Sequence, residues 1–385
     1  MEKFDSNRLL PTNIIYKSAA NQLYRIGLTI ETYLFQFDSQ RQWFNKPILL
    51  MIANIIFLMN RIICLFANKQ NKLIFIVLGD FGYLLGIGTV NNIFFILITL
   101  LVINTQLIYY YNYKNGVKPT FLRVFQMISG LIPPRSVGLT NQWEVMKLVR
   151  PIRLLFRFTK FNNNFMILNC AFCVNILSYA IYTSIHELLM FGIPNAIFFT
   201  IWGYYYWQLL LYPIIYLYII CLYFKLKLRA IYRRINWLKK RPQEISHIRD
   251  ILLSFNRINN EIYEYNQTFW SKYLLCFWVS FGSATVLMLF NTLFGSMDIL
   301  VKIIYIYVLI IFLQLFLFVI FTASAVNSEA NKSYGLMNEV MVLNVRYIRM
   351  RDKIMVFTLF AIVIKSHNHN ECNCITVDVN HRKYI

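Results

Sequence analysis

Apolar residues in this chain gather into long unbroken runs, and the polar positions fall between the runs rather than alternating with them. A helix that crosses a bilayer needs about 20 apolar residues. Runs at 47–66, 89–111, 165–187, 195–223, 271–295 and 299–323 meet that length and predict six spanning helices. A seventh apolar segment, IMVFTLFAIVI at 354–364, has only 11 residues, about 16 Å of helix against a hydrocarbon core of about 30 Å. The piece LIFIVLGDFGYLLGIGTV before Asn91 carries Asp80 and the glycines 79, 82, 86 and 88, a poor composition for a lone span. The region 73–111 is long enough for two spans, which would put the N-terminus outside; the preferred reading is a partly buried segment leading into one helix at 89–111. Residues 1–46 are mixed polar and lack the basic, apolar, small-residue order of a cleaved signal peptide, so the first span is expected to serve as the insertion signal.

One stretch changes character midway. LLSFNRINNEIYEYNQTFWSKYLLCFW, from Leu252 to Trp278, lies between Pro242 and Gly282 with no helix breaker inside it. Phe255, Ile258, Ile262, Tyr265 and Phe269 recur at steps of three and four and share one helical face. Arg257, Asn260, Glu261, Glu264 and Gln267 lie off that stripe, and from Tyr273 onward the polarity vanishes. A single helix is therefore expected to be amphipathic in its first half and apolar all round in its second.

Composition places this pattern in a membrane. Hydrophobic residues are 58% of the chain and charged residues 14%, against roughly 25% charged in soluble domains. The fold class expected is all-α, a polytopic helix bundle with no separate soluble domain. The net charge of +21 is unevenly placed. Segment 112–164 has nine Lys/Arg and one acid, Glu144; segment 224–272 has eleven against four; HELLMFGIPN at 186–195 has none. This alternation is the positive-inside pattern and puts 112–164 and 224–270 on the cytoplasmic side. With one helix at 89–111 the N-terminus is also intracellular, and 324–353 follows inside. No aromatic-basic module accompanies the charge, which excludes nucleic acid as a partner.

The chemistry-bearing residues are sparse. Cys64, Cys170, Cys173, Cys221 and Cys276 lie in apolar runs and act as small hydrophobes. His367, His369, Cys372 and Cys374 in HNHNECNC do not follow a zinc spacing and read as part of a polar tail, 366–385. His186-Glu187 lacks the second histidine of a metalloprotease helix and reads as a solvated turn. The sequons at Asn266 and Asn331 fall in segments expected inside, where glycosylation does not occur. There is no nucleophile elbow, phosphate loop or intramembrane carboxylate pair, so no enzyme activity, cofactor or metal is expected.

Two features retain open readings. Asp80 and Arg61 are ionisable groups in or near apolar runs, either functional or snorkelling at a boundary. The run IWGYYYWQLLLYPIIYLYII, 201–220, is dense in aromatic residues around Pro213. It is either an interfacial belt or the lining of a small-ligand site, with Trp202, Tyr205, Tyr206 and Tyr212 as candidate ligand-binding residues.

The layout over 47–353, and above all the 252–278 stretch, resembles the gustatory receptor branch of the arthropod seven-transmembrane chemoreceptors. In that family a cytoplasmic helix runs directly into the fifth span. The resemblance implies a tetrameric, ligand-gated cation channel of the plasma membrane, homo- or hetero-oligomeric, that detects small organic tastants. It also implies an intracellular N-terminus, a ligand pocket within spans two to six and a seventh span lining a shared pore. The stripe Phe255, Ile258, Ile262, Tyr265 and Phe269 would then pack in the subunit assembly beneath the membrane, with lipid around the spans. The family's Thr-Tyr and Gln-Phe signature in the last span has no counterpart here, so the seventh helix is expected to be short or incomplete. A transporter or a G-protein-coupled receptor is the alternative. The Asp-Arg-Tyr-like and Asn-Pro-x-x-Tyr motifs of the latter are missing, and matched broken helices of the former are not evident.

Overall fold

The computed structural model describes residues 46–67, 72–80, 88–114, 147–161, 164–165, 168, 184–239, 245–295 and 299–344, and nearly all of them are helical. The elements are α1 (Lys46–Phe66), α2 (Lys72–Val77), α3 (Gly88–Lys114), α4 (147–161), and three runs of unusual length. The first long run, α5, joins Ile185–Glu187, a π turn at Leu188–Gly192, and Ile193–Lys239. The second, α6, begins with Ile245–Tyr265 and passes through π turns at Asn266–Trp270 and Phe277–Gly282 before ending at Phe294. The third, α7, is Ile299–Asn344. Among the described residues five stretches are long and apolar enough to cross a membrane: Ile48–Phe66, Gly88–Asn112, Ile185–Lys239, Ser271–Phe294 and Tyr305–Val340. The expected spans 165–187 and 354–364, residues 1–45 and the HNHNECNC tail fall wholly or mainly outside the described residues.

α5 and α7 continue well past the expected ends at 223 and 323. At 55 residues α5 is about 80 Å long, far more than a hydrocarbon core of about 30 Å. No glycine or proline separates its apolar part from LKLRAIYRRINWLK, so the backbone has no reason to stop when the side chains become charged. Ser184 starts the run by accepting a hydrogen bond from the His186 amide (3.3 Å). His186 is exposed and Glu187 lies in the first turn, where a carboxylate complements the positive end of the helix.

The chain divides into two units. The first contains α1 to α3, α4 from Val149, α5 to Ile219, α6 from Lys272 and α7 to Phe321. Its first helix is inverted relative to a helix of a water-soluble protein. α1 exposes Ile48, Ile52, Ile55, Met59, Ile63 and Phe66, while Asn54, Phe57, Arg61 and Cys64 are buried. Hiding the polar face and exposing the apolar one is stable only where the solvent is hydrocarbon. The membrane part of α7 is apolar on both sides, with Ile303, Ile310 and Leu317 outward and Leu309, Phe312 and Val319 inward. Every residue from Tyr206 to Leu217 is buried, so α5 is the centre of this unit, and its helix passes through Pro213 although that residue cannot donate to the Leu209 carbonyl. Around it a ladder of rings, Phe277 to Phe281 (4.7 Å), Phe281 to Phe312 (4.5 Å) and Phe312 to Phe94 (5.5 Å), ties α6, α7 and α3 together.

The second unit contains Pro134–Leu148, α5 from Ile220, α6 to Ser271 and Thr322–Ile385. Here the apolar side faces inward: Ile231, Ile235 and Leu238 of α5, Leu252, Phe255 and Ile258 of α6, and Met337 and Val340 of α7 are buried. Ion pairs bind the three helices: Lys227 to Glu261 at 2.6 Å, Arg229 to Glu329 at 2.7 Å, and Lys239 to Glu339 at 2.5 Å. This is the ordinary sense of amphipathy, a bundle suited to water.

Candidate functional site

Asn54, Arg61, Asp80, Asn92 and Gln106, buried polar residues of the first unit, belong to one constellation, and it begins with a turn. α2 is only six residues long, too short to cross a bilayer, and ends in a left-handed glycine, Gly79, at φ +65°. The Asp80 amide donates to the Phe75 carbonyl (2.9 Å) and the Gly79 amide to that of Ile76 (3.3 Å), the paired bonds that close a helix C-terminus through glycine. A Cβ on Gly79 would stand 3.0 Å from the Phe199 ring and 3.1 Å from Asn195, so α5 presses directly on this turn.

The turn delivers Asp80 to the interior. Asn92 donates to Asp80 Oδ2 at 2.6 Å, and Arg61 lies 3.9 Å from Asp80 Oδ1. Arg61 also donates to Asn92 Oδ1 (3.4 Å) and to the carbonyls of Leu78 (3.0 Å) and Gly79 (3.5 Å). A cation at the carboxyl end of α2 satisfies carbonyls that the short helix leaves open. Asn60 adds a donor to the Leu78 carbonyl at 3.3 Å. Arg61 and Asp80 are both 1% exposed, which makes them an internal clamp of α1, α2 and α3 and removes the boundary, snorkelling reading.

From Arg61 a column of rings leads toward α5. The guanidinium sits 4.9 Å from the Phe57 centroid, Phe57 stacks on Trp202 at 4.0 Å, and Trp202 lies against Tyr206 at 4.3 Å. The Trp202 indole donates to Asn54 Oδ1 (3.0 Å), and Asn54 Nδ2 donates to Gln106 Oε1 (3.1 Å). The Tyr206 and Thr99 hydroxyls are buried close enough to interact, and neither has another partner. Trp207 Nε1 and Gln208 Oε1 are likewise buried without a partner. In this arrangement the rings stack on one another and the indole and amides pair with one another, a packed polar and aromatic core within the helices.

Of the four ligand-site candidates, Trp202 and Tyr206 belong to this column. Tyr212 is buried further along α5, and Tyr205 is 39% exposed, edge-on to Tyr204 on the outer face. The aromatic run is thus split by helical rotation: part is interior and part faces outward. Asn54, Phe57, Asn92, Thr99 and Gln106 were not among the candidates. Their signal is in the sequence nonetheless, since Asn54 and Arg61, and Asn92, Thr99 and Gln106, each follow the last by two helical turns within apolar runs.

The stripe expected to support assembly lies in the second unit. Phe255, Ile258 and Tyr265 are buried within the single chain, Ile262 is half-buried, and Tyr265 packs edge-on to Phe224 at 5.3 Å. These residues already have a cover from their own chain. The side chain of Phe269 lies outside the described residues. Beside the stripe, Lys227, Glu261 and Tyr223 close a triangle: Lys227 donates to Tyr223 (3.0 Å), and Tyr223 donates to Glu261 Oε1 (3.0 Å). Among the described residues no group of three or more His, Cys, Asp or Glu converges as a metal site.

Comparison with family models, with curated proteins and with solved structures finds no match to this chain.

Proposed function

We propose that this chain is a chemoreceptor subunit, a ligand-gated cation channel component that responds to small organic molecules. It has seven spans, an intracellular N-terminus and a place in the plasma membrane among related subunits. The observation that carries this reading is the column Arg61, Phe57, Trp202 and Tyr206 with its amide chain Asn54 to Gln106, polar groups gathered inside helices that turn apolar faces outward. Intramembrane polar groups are costly and persist where they serve a site. The charge asymmetry supports the orientation, because the basic ends of α5 and α6 lie in the bundle suited to water.

The test is ligand-evoked cation entry. Cells expressing the chain, alone and with co-expressed chemoreceptor subunits, are challenged with sugars, amino acids and aromatic alkaloids under a calcium indicator. A response abolished by Trp202→Ala at equal surface expression supports the reading. Substrate accumulation without current assigns a transporter instead, and an extracellular N-terminal tag removes the inverted topology.

A further inference from the structure

We propose that the outward face of α4 is a binding surface for anionic phospholipid. Residues 149–161 belong to the first unit and contain four cations and no acid, VRPIRLLFRFTKF. Arg150, Arg153, Arg157 and Lys160 recur at steps of three, four and three, one basic row along the helix. Leu154, Phe158 and Phe161 recur at four and three and form an apolar row beside it. The opposite side packs inward through Val149, Ile152 and Thr159.

Both rows are open. Leu154 is 72%, Phe158 63% and Phe161 68% exposed, and Phe161 stacks with Phe165 at 6.2 Å as the chain continues into FMILNCAFCVNILSYAIY. Arg150, Arg157 and Lys160 are exposed, and Arg153 is half-exposed with its Nε buried and unpartnered. None of the four pairs with a carboxylate among the described residues, whereas in the second unit Lys227, Arg229 and Lys239 each have one.

Adjacent basic and apolar rows fit an occupant with the same two parts. The phosphate and carboxylate of a lipid headgroup meet the arginines, and the acyl chain lies along Leu154, Phe158 and Phe161. An acidic protein segment would leave the apolar row exposed to water. A nucleic acid would meet no base-stacking module. The proposal draws on the inward placement of 112–164 only to name the leaflet, which is the cytoplasmic one, where anionic lipid is concentrated.

The test uses the full chain extracted into mixed micelles of phosphatidylcholine containing a minority of phosphatidylserine, with retained lipids quantified by mass spectrometry. The wild type is expected to enrich phosphatidylserine over the bulk ratio, less so at 0.5 M salt than at 0.1 M. Each neutralised cation near an anionic surface weakens binding about fivefold, so R150Q/R153Q/R157Q/K160Q should lower the affinity by on the order of 10²–10³ and return the ratio to bulk. Thermal unfolding in phosphatidylcholine alone verifies that the variant folds. If it does not, the salt dependence of the wild type still decides. No enrichment by the wild type, or equal enrichment by the variant, overturns the proposal. So does loss of an oligomer in the variant with no change in retained lipid, which would assign the face to another copy of the chain. Enrichment in a chain that no tastant activates would sink the receptor reading and leave this surface standing.

Discussion

Trp202 donates its indole hydrogen to Asn54 across 148 positions of sequence, at 3.0 Å, inside helices whose outer faces are largely apolar. Asn54 is the hinge of that chain of contacts, since it also donates to Gln106. Asn54→Ala leaves an indole N–H and an amide oxygen buried without partners, at about 1–3 kcal/mol each. A lower midpoint of thermal unfolding in detergent is expected, and a smaller loss in N54A/Q106L than in N54A alone, because the second change removes one orphaned group. An additive double variant would show that the two residues are not coupled.

The column and the outer face of α5 should separate in function. Trp202→Ala removes the ring between Phe57 and Tyr206, whereas Tyr205→Ala trims an exposed side chain. Responses to tastant are expected to fall tenfold or more in the first, about 1.4 kcal/mol or more of binding, and to change little in the second. Dose–response curves at matched surface expression measure this.

Two glycines should respond oppositely to alanine. Gly79 is left-handed and meets Phe199 at 3.0 Å from an added Cβ, so Gly79→Ala carries about 1–2 kcal/mol of backbone strain besides the contact. Gly203 is helical, and an added Cβ meets nothing within 4 Å, so Gly203→Ala is expected to be neutral or stabilising by up to about 1 kcal/mol. Thermal unfolding of the two variants side by side checks the contrast.

In the second unit the Lys227 to Glu261 pair is sealed from water. Removing one partner strands a buried charge, and Lys227→Met or Glu261→Gln is expected to cost about 3–5 kcal/mol, with partial recovery in K227M/E261M. The double-mutant cycle gives the coupling. A coupling near zero would mean that water reaches the pair.

The stripe on α6 predicts a difference between core and outer face. Ile258→Asp puts a charge in the chain's own core and should unfold the unit, at several kcal/mol. Leu253→Asp, on the exposed face of the same helix, should leave the melting midpoint within about 0.5 kcal/mol of wild type. Size-exclusion profiles of L253D then report whether that face holds a second subunit.

Much of this architecture is legible in the order of residues. The apolar runs place α1, α3 and the membrane parts of α5, α6 and α7, because hydrocarbon selects length and hydropathy with little dependence on contacts. The continuity of α6 follows from the absence of breakers between Pro242 and Gly282. Rotation is harder to read. The π turn Asn266–Trp270 interrupts the three-four rhythm after Tyr265, and Trp270, five residues on, is buried. The role of α2 was also hidden, since its placement depends on Asp80 reaching Arg61 and Asn92, which are 19 and 12 residues away. Hydropathy registers Asp80 as a defect in a span, and only the pairing explains it.

The Arg61 clamp also sets a schedule for biogenesis. While α1 is the only helix made, its arginine has no counter-charge, and an arginine in an inserting helix disfavours the membrane, by about 2.5–3.5 kcal/mol at the centre and less toward the end where Arg61 lies. Asp80 is translated later, and Asn92 comes 31 residues after Arg61. At synthesis rates of about 5–20 residues per second this leaves α1 waiting for roughly two to six seconds. During that interval the insertion machinery, rather than lipid, must shelter Arg61. A ribosome paused before Asn92 is therefore expected to hold α1 at the translocon, and crosslinking of α1 to the insertion machinery in such a paused chain checks this.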